Sequence, residues 1–129
     1  MDKIIKNMNV KPMLERAEFE RLRMPENGEN VNIRVGDSIS LEEVRSDVIK
    51  INIARSVVPN PEFIFKIYVE MSAEILVDRK AYDDLANKED YFKKSPVARA
   101  LTSHIATLIA DMTTNSAIGP VITVPIFQG

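Results

Sequence analysis

An amphipathic helical pattern that runs directly into an apolar extended segment constrains this chain more than any other feature. Val97, Leu101, His104, Ile105, Leu108, Ile109 and Met112 recur at helical spacing, and Ile118-Gly119-Pro120-Val121-Ile122-Thr123-Val124-Pro125-Ile126-Phe127 follows with little polar relief. A strand with one wet face alternates apolar and polar side chains. Here Val121, Thr123, Pro125 and Phe127 point one way while Ile122, Val124 and Ile126 point the other, so both faces ask for cover. Two coverings are open: a core strand or loop closing the chain's own fold over 118–129, or a second subunit or apolar client. Pro125 withholds a ladder donor and favours an edge or interface.

The helix itself is well marked. Ser95 is a good N-cap and Pro96 suits the first helical position, which predicts a helix over 96–115. Its far side carries Ala100, Thr102, Ser103, Thr107, Ala110 and Thr114 in place of the Lys/Glu mixture of a solvated face. Small side chains admit a close neighbour, so Thr102, Ser103, Thr107, Ala110 and Thr114 are candidate residues of an oligomer interface. Packing within the chain is the alternative.

Upstream the period changes from helical to alternating. Residues 1–12 read as a short arm ended by Pro12, and Met13 to Arg23, with Met13, Ala17 and Phe19 on one parity, as a strand whose rival is a helix. Pro25-Glu26-Asn27-Gly28-Glu29-Asn30 is dense in turn residues. Val31, Ile33 and Val35 alternate with Asn32 and Arg34, Gly36-Asp37-Ser38 breaks the run, and Ile49, Ile51 and Ile53 alternate with Lys50 and Asn52. These two pieces read as one long strand interrupted by a bulge or excursion. Pro59-Asn60-Pro61 makes a turn. Phe63, Phe65, Ile67, Val69 and Met71 then form the strongest strand, extended to Val77 with a parity slip at Ile75-Leu76-Val77 that implies a bulge or a strand that changes partners. Strands thus occupy 13–77. A charged linker over 78–95 contains a short helix from Arg79 to Asn87 and a loop.

Composition narrows the function classes. A chain of 129 residues makes one domain with a real core. Cysteine is absent, which excludes disulfides and thiolate metal sites and makes a reducing cytoplasm the expected location. The opening Met1-Asp2-Lys3-Ile4-Ile5-Lys6 lacks the apolar run of a secretion signal, and no stretch reaches the roughly 20 apolar residues of a membrane span. A net charge of -2 offers nucleic acid no general attraction. Lys88, Lys93 and Lys94 stand among acidic neighbours with only Tyr91 and Phe92 to stack a base. His104 is the sole histidine, with no second His or Cys to share a metal, and it diverges from Ser103 on a helix. The carboxylate pairs Glu42-Glu43, Asp83-Asp84 and Glu89-Asp90 read as solvated charge rather than a convergent acid–base site. The expectation is a binding protein without catalytic residues, cofactor or metal.

In this order of elements the chain resembles the bacterial export chaperone SecB and the wider SecB-like family. The likeness rests on Leu101-Thr102-Ser103-His104-Ile105-Ala106-Thr107-Leu108-Ile109 running into Ile118-Gly119-Pro120-Val121-Ile122-Thr123-Val124-Pro125-Ile126-Phe127. There the family has a helix, a small or Gly-containing turn and an x-Pro-x-Leu-x-Leu-x-Pro-x-x-Phe-type segment. Val31-Asn32-Ile33-Arg34-Val35 and the later strand Asp47 to Arg55 match the family's interrupted second strand. The resemblance implies an α+β fold, a four-stranded antiparallel sheet packed on one long helix, assembled as a dimer or a tetramer built from dimers. It also implies an ATP-independent holdase of protein transport that keeps unfolded or partly folded chains on apolar grooves. By position the client surface would be Ile122, Val124, Ile126 and Phe127 with Tyr68 and Met112. The export chaperone continues into a second helix and a tail that docks on the translocation motor; this sequence stops at Gly129, so that handover is not expected. The alternative is a dedicated inhibitor or antitoxin-type partner using the same fold against one protein.

Overall fold

The computed structural model describes residues 4–6, 11–21, 32–60, 65–115 and 120–129. The turn read at 25–30, Val31, Phe63, Ile64 and the Ile118-Gly119 junction lie outside the described residues. Four strands, β1 (Met13–Arg21), β2 (Asn32–Arg45), β3 (Val48–Asn60) and β4 (Phe65–Leu76), form one antiparallel sheet in the order β1-β4-β3-β2. Among the described residues three helices follow: α1 (Arg79–Asp83), α2 (Lys88–Lys93) and α3 (Pro96–Thr113).

Strand alternation builds the core. Ile49, Ile51, Ile53 and Val57 of β3 and Phe65, Ile67, Val69, Met71, Ala73 and Ile75 of β4 are buried on one face of the sheet, and α3 packs across both strands. The other face carries Lys50, Asn52, Ala54 and Ser56 beside Lys66, Tyr68, Glu70 and Glu74, and is polar and partly wet, with Ser72 fully buried opposite Asn52. The side chain of Lys50 reaches Glu15 of β1 at 2.7 Å, an ion pair that spans the intervening β4.

Three strand details differ from the sequence reading. The long interrupted strand is instead two strands, β2 and β3, joined by a tight turn at Ser46-Asp47. Gly36-Asp37-Ser38 does not break β2: Gly36 faces Ser56 on the wet side, where nothing lies within 4 Å of an added Cβ, and the ladder continues on both sides of it. At Ile75-Leu76-Val77 there is no bulge, since Ile75 and Val77 are both inward and Leu76 is outward in register with Val48. The chain changes partners there, from β1, whose pairing ends at Ser72, to Ile5 of the arm opposite Val77. A bulge occurs in β1 instead, between Leu14 and Arg16. It moves Met13 off the parity of Ala17 and Phe19 and onto the face of Ser72, leaving Met13 exposed. Phe19 stays inward and stacks on Phe65 with ring centroids 6.3 Å apart.

Pro59 belongs to β3 and pairs with Ile33. Among the described residues β4 pairs with β3 as far as Val57, so the proline lies beyond that ladder. At the other end of β4, residues 4–6 of the arm lie beside Val77, with Lys6 N donating to Leu76 O and Asp78 N to Ile4 O, each at 2.8 Å. Within 78–95 there are two short helices rather than one, capped by Asp78 and Asn87. They set Tyr82 and Phe92 into the core with ring centroids 6.1 Å apart.

Candidate functional site

The site is the segment 120–129 and the seat that holds it. α3 starts as its sequence demands: Ser95 Oγ accepts from Ala98 N at 3.3 Å with Pro96 at the first position. Its buried side is Val97, Ala98, Leu101, Thr102, Ile105, Ile109 and Thr113. His104 lies exposed, and Leu108 and Met112 are half-buried. After α3 the segment turns back along the helix. Val121 N donates to Thr113 Oγ1 at 2.7 Å, and Pro125 O lies 3.1 Å from Thr102 Oγ1. From Thr113 to Thr102 a helix falls about 16 Å, and Val121 to Pro125 covers about 13 Å when fully stretched. The segment therefore runs extended and antiparallel to α3, but it joins no strand ladder.

Beneath it lies a buried ion pair. Asp37 of β2 and Arg55 of β3 are register partners on the apolar face of the sheet, both side chains fully buried. Arg55 Nε donates to Asp37 Oδ1 and Nη2 to Oδ2, each at 2.8 Å. The remaining donors go to the segment: Nη1 to Thr123 Oγ1 at 2.8 Å and to Val124 O at 2.6 Å, and Nη2 to Ile126 O at 2.9 Å. A guanidinium has five N–H groups, and all five are used. Asp37 is equally occupied, since Oδ2 also accepts from Gln128 N at 2.7 Å while Asp37 N donates to Gln128 O at 2.7 Å. Lys93 of α2 stands over the Phe127 ring, 5.4 Å from its centroid.

These anchors decide which way the segment faces. Val121 and Thr123 are buried, whereas Ile122, Val124 and Ile126 are 75%, 48% and 50% exposed. Three branched aliphatic side chains therefore form an outward ridge on a backbone fixed from below. Phe127 is half-buried against the core, as is Met112. Of the six client-surface residues expected from the sequence, the structure leaves Ile122, Val124 and Ile126 exposed along one segment, with the half-buried Phe127 next in the chain. Tyr68 is not among them. It points to the opposite face of the sheet, where its hydroxyl donates to Glu70 Oε1 at 3.0 Å and Arg16 stacks 5.3 Å from its ring centroid.

The interface expectation needs one correction. Thr102 is fully buried under the chain's own segment, so it cannot meet another subunit. At Thr102 the small side chain lets an extended stretch of the same chain pass directly over the helix. Ser103, Thr107 and Thr114 are exposed and Ala110 is half-buried.

Sequence reasoning missed Asp37, Arg55 and Thr113. A signal was present: Arg55 occupies the inward parity of Ile49, Ile51, Ile53 and Val57, and Asp37 that of Val35, Ile39 and Leu41. Opposite charges at apolar positions of adjacent strands mark a buried pair. Among the described residues no group of His, Cys, Asp or Glu is arranged to hold a metal ion, and no helix is long and apolar enough to cross a membrane.

The sequence matches no protein-family model and no curated protein. Among solved structures, the chain is similar to a SecB-like chaperone of Mycobacterium tuberculosis, solved in complex with a ChAD peptide from the HigA1 antitoxin. The TM-score is 0.69 at 15% identity, over 90% of this chain and 88% of that one. A Streptococcus agalactiae protein of unknown function superposes with a TM-score of 0.46 at 15% identity, over 88% of this chain and 92% of that one. The chain thus has the SecB-like α+β fold, an antiparallel four-stranded sheet backed by a long helix.

Proposed function

We propose that this protein is an ATP-independent holdase, a binding protein rather than an enzyme, that retains unfolded or partly folded polypeptides on its apolar ridge. The observation that carries the reading is the outward display of Ile122, Val124 and Ile126 on a backbone secured by hydrogen bonds. Exposed contiguous apolar surface marks an interaction site. At roughly 25 cal/mol per Å² of apolar burial, several shallow contacts along an extended chain hold it without reading its sequence. The protein would act in the cytoplasm as a homodimer or homotetramer, with Ser103, Thr107, Ala110 and Thr114 at a subunit contact, and would need no cofactor.

A second reading is favoured by one specific finding. The Mycobacterium tuberculosis chaperone of the same fold was solved with a peptide from an antitoxin, which supports a dedicated partner for this chain in place of many clients. One experiment separates the two: suppression of aggregation of a chemically unfolded, unrelated protein without nucleotide, with mass recorded by light scattering. Suppression by a stable dimer or tetramer supports the holdase. A well-folded oligomer that suppresses nothing supports the dedicated partner, and a monomer that suppresses nothing sinks the holdase reading and its assembly together.

A further inference from the structure

The segment 120–129 has an unusual ambiguity built into its sequence. Val121, Thr123, Pro125 and Phe127 form one parity and Ile122, Val124 and Ile126 the other. The structure keeps this alternation over 121–124, before a bend at the exposed Pro125, and a slip of one residue there exchanges the two faces. Hydrophobic burial is not directional, so it does not choose between them: three branched aliphatic residues would cover the core at least as well as Val121, Thr123 and Phe127. The choice falls to the directional contacts. Thr113 fixes Val121 N at one end and Asp37 fixes Gln128 N and O at the other. Between these, Arg55 takes the Thr123 hydroxyl, which only an inward Thr123 can present, together with the carbonyls of Val124 and Ile126.

We infer that Arg55, held by Asp37, is the positioning residue of the binding ridge: it selects the parity in which Ile122, Val124 and Ile126 face outwards. This rests on the reading of the ridge as a polypeptide-binding surface. Arg55 is fully buried and acts on a partner only through the segment above it. Asp37 supplies the counter-charge and fixes the plane of the guanidinium through two parallel bonds, so both nitrogens that face the segment are aimed before it arrives.

The test uses the full chain carrying Asp37→Leu together with Arg55→Met, an apolar pair of similar bulk that leaves no unpaired charge. Amide exchange followed by mass spectrometry reads the segment separately from β3, β4 and α3, and a fluorescent, reduced and alkylated test polypeptide reads binding. We expect exchange over 120–129 to accelerate about tenfold or more while the sheet and α3 stay protected, with affinity for the test polypeptide falling about tenfold. Unchanged protection over 120–129 overturns the inference, as does unchanged affinity on a loosened segment. If the double variant does not fold, Arg55→Lys decides. A lysine has three donors on one atom and cannot serve Asp37 and three segment acceptors, so wild-type protection in that variant also overturns the inference. A wild-type protein that ignores the test polypeptide sinks the binding reading alone, because exchange in the Arg55→Lys variant, which keeps the Asp37 acceptor of Gln128 N, still reports whether Arg55 positions the segment.

Discussion

Asp37 and Arg55 face each other across β2 and β3 through two parallel 2.8 Å hydrogen bonds, in the interior of an otherwise apolar sheet face. Desolvating such a pair is costly, and its net worth against an apolar replacement is often near zero. Its value here lies in what the pair does next: every donor not spent on Asp37 is spent on the segment that carries the ridge.

The two partners should therefore be strongly coupled. Arg55→Met alone strands the Asp37 carboxylate and should lower stability by about 3–5 kcal/mol, with Asp37→Leu alone similar. The double substitution should recover at least about 2 kcal/mol of that loss. Urea unfolding of the four proteins measures the coupling. Additive losses would mean that the pair is not the buried, desolvated unit described above.

Charge on the ridge should spare the fold and remove the activity. Ile122→Asp and Ile126→Asp place carboxylates on side chains that are 75% and 50% exposed, so each should change stability by no more than about 0.5 kcal/mol. Retention of the unfolded test polypeptide should be lost. An unfolded or strongly destabilised double variant in the same denaturation assay would show that the ridge is packed, not displayed.

The end of α3 offers a smaller, local test. Thr113→Val keeps the shape but removes the acceptor of Val121 N. A buried donor left unmet costs about 1–3 kcal/mol. Ile105→Ala, under the middle of the same helix and fully buried, should cost about 2–5 kcal/mol. Thermal unfolding ranks the two, and a Thr113→Val loss matching the larger figure would implicate more than one hydrogen bond.

Stability should also fall in strong alkali. Burial raises the phenols of Tyr68 and Tyr82 above their ordinary value of 10.0, and for Tyr68 the bond to Glu70 adds to the rise. A folded-state value above the unfolded one means that the unfolded chain releases its proton first. The contribution is complete below about pH 10 and disappears as pH climbs through the folded values. Absorbance titration of the phenolates should show both ionising later in the folded protein than in urea, and Tyr82→Phe should reduce the alkaline loss of stability. Identical titration in both states would rule out the shift.

Much of this molecule is determined by the sequence alone. Alternation in Phe65–Leu76 and helical spacing in Pro96–Thr113, with Ser95 and Pro96 at its start, are local properties that need no partner to be read. The two-faced character of 121–127 is equally visible, and so is the likeness to the SecB-like order of elements. Tertiary structure decided the rest. Whether Val31–Val35 and Ile49–Ile53 are one strand or two depends on which edge each meets, and the bulge at Glu15 depends on the register against β4. The small residues of α3 signalled a close neighbour, but only the folded chain shows that the neighbour over Thr102 is its own segment. Asp37 and Arg55 stand eighteen residues apart, and each alone reads as a charge interrupting a strand. Their meeting on the apolar side of the sheet, and through it the outward turn of Ile122, Val124 and Ile126, is a property of strand pairing. Local propensity does not encode that pairing, because burial favours either parity and only a hydrogen-bond partner fixed in space breaks the tie.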